Sequence, residues 1–275
     1  MLRASTLFLA IPALLVAPTI VRGGTLPADA LPIPNRVAAA DVVIVGQVLH
    51  YEEKMVSAPT FPGSTTKADY KIAVINVRDP LIAPKGIKTV RIGFIPPPPM
   101  VFVSPPPFQP ALAQEGIFLL KKHGAADFYV APLMLNFIDK KNPNFDKDVA
   151  LIQRCAKIKA DPKTSLKAKS ADDRFLAAAV LLAGYRTRTG PSDKTEPIDA
   201  EQSKLILEAL AGADWTPSTD FTKLSPMMAL HRLPLTAKDG WTPPKDAKAY
   251  PDYARQWLRD HAEKYRIERF VPAEK

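Results

Sequence analysis

Between Ala40 and Pro132 the chain carries five short apolar runs: Val42–Leu49, Tyr70–Val77, Thr89–Ile95, Gly116–Lys121 and Phe128–Ala131. No other feature of the 275 residues constrains the fold as tightly. The runs are rich in valine, isoleucine and aromatic residues, which suit a pleated, half-buried surface. Asp79-Pro80, Lys85-Gly86, Glu115-Gly116 and His123-Gly124 punctuate them as turns. No interval holds a helical crossover of the length that parallel neighbours need. Strands spaced in this way predict an antiparallel sheet or a small closed barrel, and closure removes exposed edges. Gly46, inside the first run, marks a bulge or tight bend.

The order of these pieces resembles a known family. The chain reads ADVVIVGQV, then YKIAVINV, a turn ending in Lys85-Gly86, TVRIGFI, and EGIFLLKK. That sequence of strands and turns is similar to bacterial netrin-like barrels. Their fold is that of the amino-terminal domain of tissue inhibitors of metalloproteinases, a five-stranded OB-type barrel. The resemblance covers roughly Pro34–Pro132 and implies a fold. In the animal inhibitors a terminal cysteine reaches the target's metal and disulfides fix the domain. This half has no cysteine, so that mechanism does not carry over. OB-type barrels also bind single-stranded nucleic acid, with aromatic platforms beside basic residues. Phe94, Phe118, Phe128 and Tyr129 with Arg91, Lys121 and Lys122 have that composition. We expect these aromatics to fill the barrel and expect no nucleic-acid partner.

Residues 1–23 read as a signal peptide: Arg3 precedes an apolar stretch, Leu7–Val21, broken by Pro12 and Pro18. Cleavage is expected after Gly23, with Ala28 and Ala30 as later alternatives. The stretch is shorter than the roughly twenty residues of a spanning helix. No later run approaches that length. The expectation is a secreted or periplasmic protein with no integral membrane segment after cleavage. Residues 24–36 form a Pro-rich lead-in without regular structure. The formal charge of +9 falls to about +7 without Arg3 and Arg22. Such an excess favours acidic surfaces, although dispersed lysines also serve simply as a solvated surface.

The least ordinary stretch is Pro96–Pro110, PPPPMVFVSPPPFQP. Proline runs fix φ and favour an extended, stiff connection. Two readings stay open. The loop presents Met100, Phe102 and Phe108 as apolar prongs for a partner, losing little entropy on binding. Alternatively it folds over an open barrel end as a lid. The connection Glu52–Asp69 reads as a mobile surface loop.

Beyond Asn142-Pro143-Asn144 the period turns helical. Asp146–Lys159 places Val149, Ile152, Cys155 and Ile158 near one face, so the single cysteine is expected to be buried. Ser170 with Asp173 caps Ala171–Arg188, the expected central helix. Asp199 with Gln202 caps Ala200–Ala213. Thr222–Leu233 reads as a short helix and Pro251–Phe270 as a basic, amphipathic last one. The architecture expected is α+β: a small antiparallel β-barrel of OB or netrin-like type over residues 37–132, then an irregular α-helical domain over 146–270.

Chemical signatures are sparse. His50, His123, His231 and His261 lie in separate segments without metal-ligand spacing. Neither HExxH, nor a GxSxG elbow, nor a Gly-rich phosphate loop is present. We therefore expect no metal and no cofactor. The first expectation is an exported, non-enzymatic binding protein whose partner is a protein or an anionic envelope polymer, contacted through residues 96–110. The alternative is an extracytoplasmic hydrolase at the junction of the two halves, with His123, Asp127 and Asp139 as the groups to inspect.

Overall fold

The computed structural model describes residues 31–60, 64–96, 108–131, 137–188, 194–217, 220 and 223–271. The expected signal peptide lies outside them, as does most of the lead-in.

Strand β1 (Val42–Tyr51) is the spine of the barrel. It pairs antiparallel with β3 (Lys67–Ile82) on one side and β5 (Glu115–Lys122) on the other. β3 pairs antiparallel with β4 (Thr89–Phe94), and β6 (Tyr129–Val130) closes the ring between β4 and β5. The result is a closed five-stranded barrel compatible with an OB-type fold. It is mixed rather than wholly antiparallel, because β4 and β6 run parallel at Ile92 and Tyr129. The cause is parity: an odd number of strands cannot alternate direction all the way round a closed ring. Gly46 sits where the β1–β3 register shifts. A Cβ there would lie 2.7 Å from the carbonyl oxygen of Asn76, so the bend requires glycine.

β5 explains the packing. Phe118 and Leu120 point into the barrel, with Ile44, Ile75 and Ile92. Ile117 and Leu119 point outward into a larger core shared with the helices. Both faces are covered, which is why the strand reads as an unbroken apolar run rather than an alternating one. β2 (Val56–Pro59) pairs with the start of β3, and β7 (Phe137–Asp139) pairs with β5. The first corrects the mobile loop expected at 52–69. Its strand is held from below by a small cluster of Ala58, Tyr70, Ile72 and Phe128.

The helices are α1 (Ile33–Ala39), α2 (Phe145–Ala160), α3 (Pro162–Leu166), α4 (Ala171–Tyr185), α5 (Ala200–Ala211), α6 (Pro226–Leu230) and α7 (Tyr250–His261). α4 is central as expected, with residues 176–183 all buried. Its cap is the Ser170 hydroxyl, accepting from the Asp173 N–H, and Asp199 caps α5 through the Gln202 N–H. On α2, Ile152, Cys155 and Ile158 are buried together.

Two local expectations change. Helix α1 occupies the end of the stretch expected to lack regular structure, and it packs on α4 and α2. A proline in the first helical turn is tolerated there, because that N–H has no helical partner anyway. The last helix is also shorter than expected. α7 stops at His261, and the chain extends into β9 (Glu268–Phe270), which pairs with β8 (Thr195–Pro197). Ile267, fully buried, anchors the extension by donating its N–H to Ser203 Oγ and accepting from the Ile198 N–H. The fold is α+β, with one core running from the outer barrel face into the helices.

Candidate functional site

The Pro-rich connection leaves from β4 and returns before β5, at one mouth of the barrel. Met100 and Phe102 lie outside the described residues. Phe108 is half-buried, with its ring centroid 5.8 Å from that of Phe137 and 6.5 Å from that of Phe118. The returning end is tied down. The Tyr51 hydroxyl donates to the Pro110 carbonyl at 2.5 Å, and the Val48 and Ala113 backbones bond to hold residues 113–114 against β1. Ala113 adopts φ 61°, a left-handed conformation that costs a residue with a Cβ. Tyr51 in turn packs on Phe94 at 5.9 Å and carries Lys71 Nζ 4.3 Å above its ring.

Around this anchored mouth three large apolar side chains face solvent: Leu49 at 49% exposure, Ile95 at 42% and Leu112 at 57%. Single exposed leucines are ordinary on protein surfaces; here three exposed apolar side chains belong to segments that end at the same mouth. Leu49 and Leu112 flank the bonded Val48 and Ala113 backbones, and Ile95 directly follows β4.

Of the four aromatics considered as stacking platforms, Tyr129 is half-buried against the barrel core. Phe94, Phe118 and Phe128 are buried. Arg91 is also committed: Nε and Nη2 grip the two oxygens of Glu52 at 2.7 and 2.8 Å, and Nη1 donates to the Asp127 carbonyl at 2.7 Å. That pairing holds the Glu52 carboxyl below its ordinary range, chiefly through the hydrogen bond from Arg91.

The three groups proposed for catalysis do not converge. His123 is 5% exposed, between Tyr70 and Phe128. Its Nδ1 accepts from the Ala125 N–H, so Nε2 is the donor to the Pro59 carbonyl at 2.9 Å. The Asp127 side chain stands almost wholly in water, 3.9 Å from Arg91. Asp139 pairs with Gly116 at one end of β5, whereas His123 follows the other end, about 20 Å along the strand. Among the described residues no three His, Cys, Asp or Glu side chains cluster as a metal site.

The junction of barrel and helices is concave. A cavity of about 660 Å³ lies between α1, β7, α2 and α4. Ile33, Ile138, Leu151, Phe175 and Leu176 form its apolar walls, and Arg36, Asp148 and Asp172 bring charge to it. Arg36 sat unnoticed in the lead-in; the one available signal was a lone arginine inside the otherwise uncharged stretch from Leu31 to Ala40. No family model matches the chain, and no curated protein matches it in sequence. No helix among the described residues is long and apolar enough to cross a membrane.

Proposed function

We propose that this is an exported protein that acts by contact rather than by turnover, with the barrel mouth as its contact surface. The observation that carries the proposal is the exposure of three large apolar side chains, Leu49, Ile95 and Leu112, on segments that end where the Pro-rich connection meets the barrel. An anchored rim loses little freedom on binding. Export is part of the proposal and rests on residues 1–23. The netrin-like relationship is likewise a proposal, supported by closure of five strands and by the order of strands and turns. The partner is a protein with an apolar face, or an anionic envelope polymer drawn by the positive charge.

The test is retention of envelope components on immobilised Gly24–Lys275 at low and moderate salt, beside a column carrying Leu49→Ser, Ile95→Ser and Leu112→Ser together. All three side chains are exposed, so the variant should keep the wild-type melting temperature. A component held at both salts by the wild type and released by the variant supports contact through the mouth. Equal retention on both columns, lost as salt rises, would mean diffuse attraction to the lysines and would sink the proposal.

A further inference from the structure

The two arginines Arg36 and Arg91 present the same chemical edge in different states. Arg91 uses Nε and Nη2 as a fork on both oxygens of Glu52. In Arg36 the same two nitrogens are buried and have no hydrogen-bond acceptor. The side chain lines the junction cavity, and also a neighbouring one of about 610 Å³ that shares Ile138 and Asn142 with it. Burial lowers its pKa only to about 10, so the guanidinium stays charged at neutral pH. Asp148 acts on it through charge without a bond, and burial pushes the Asp148 carboxyl up.

We infer that the junction cavity binds an amphiphilic monocarboxylate whose head group takes the Nε–Nη2 fork of Arg36. The fork matches a planar carboxylate in geometry, as Arg91 shows in this chain. The body of the ligand would lie on Ile33, Leu151, Phe175 and Leu224. A cavity of this size is in the usual range for small ligands. Charge argues for a single negative group. Of the other cations on the lining, Arg154 is held by Asp173 at 2.5 Å and Lys223 by Asp220 at 3.4 Å, while Asp148 and Asp172 would repel a second negative charge. Because Nε and Nη2 are closed to solvent, seating the head group takes a rotation of the Arg36 side chain toward the cavity. This site is separate from the barrel mouth and does not depend on it.

The experiment is calorimetric titration of the full mature chain with octanoate and with 1-octanol, repeated with Arg36→Gln and Leu224→Glu. Acetyl-leucyl-leucine and its amide, run beside them, separate an acyl chain from a peptide terminus as the source of the carboxylate. The wild type should prefer an acid to its neutral counterpart by at least about tenfold, and Arg36→Gln should erase that preference. Leu224→Glu, at a half-buried wall position, removes apolar contact from both probes and adds a carboxylate to the cavity, so it should weaken the acid more than the neutral probe and reduce the acid's preference by a similar factor. It decides the matter if Arg36→Gln fails to fold. Equal affinity for acid and neutral probes, no binding by either, or acid binding unchanged in a folded variant would each overturn the inference.

Discussion

Gly93 and Phe128 offer a sharp test of how the barrel is packed. A Cβ at position 93 would stand 2.4 Å from Cε2 of the Phe128 ring and 2.5 Å from Cδ2. Ordinary contact begins near 3.4 Å, so the ring must retreat by about 1 Å in Gly93→Ala. It has little room: Phe128 is 2% exposed, with the Tyr70 ring at 5.0 Å and the His123 ring at 4.6 Å. Overpacking of this kind costs about 1–3 kcal/mol, offset by about 0.5 kcal/mol because alanine restricts the unfolded chain. We expect Gly93→Ala to lose about 1–2 kcal/mol in urea denaturation. Phe128→Leu removes the obstructing ring edge at its own cost. In the double variant the new methyl should then be accommodated, with a coupling of about 1 kcal/mol in the favourable direction. Strict additivity, or a Gly93→Ala variant as stable as wild type, would refute the view that this glycine exists for the ring's approach.

Three further outcomes follow from named geometry. Ala113→Gly should stabilise the protein by about 0.5–1 kcal/mol, read as a higher urea midpoint, because it relieves the left-handed backbone at φ 61°; a loss of stability would show that the methyl packs usefully. Cys155 is fully buried and its thiol is pushed up to about 12, so it should resist a thiol reagent in native, mildly alkaline buffer and react once the chain is unfolded in guanidinium. Glu52 has a folded pKa below its ordinary 4.5, so its stabilisation is whole above that value and is lost as pH falls through the lower folded one. Glu52→Gln should therefore cost about 0.5–1 kcal/mol at neutral pH, discounted for partial exposure, and should flatten the acid limb of stability against pH; an unchanged acid limb would remove the pair from the account.

Elements governed by local signals were readable from the residues. The caps at Ser170 and Asp199 form the predicted bonds, because a side-chain acceptor and a free N–H three residues on are local facts. β1 and β4 begin at Val42 and Thr89 as expected, since β-branched runs bounded by turns carry their own signature. What escaped was decided at a distance. β2 is four residues long and gains order from Tyr70 and Phe128 beneath it. β8 and β9 are three residues each and stand about seventy residues apart, joined by their ladder and by Arg269 on Glu196. β3 runs on through Asp79-Pro80 to Ile82, because its partner β1 continues opposite and absorbs the proline at a register shift.

Strands give way to helices between β7 and α2, yet the packing crosses that boundary. Helix α1 precedes the barrel in sequence and packs on α4 and α2, which follow it. Val43, Ile117 and Leu119 leave the barrel's outer face to join Ile152, Leu182 and Ile206 in a common core. The junction cavity is a product of that return. Its walls come from α1, β7, α2 and α4, four stretches that no local pattern connects. Arg36 shows the consequence. Within its own segment it is one arginine among prolines and alanines. In the fold its Nε and Nη2 are buried without an acceptor, and Asp148 of α2 acts on it through charge and without a hydrogen bond. A buried cation left in that state is costly to the fold, which is why it marks the place where a missing acceptor would do most.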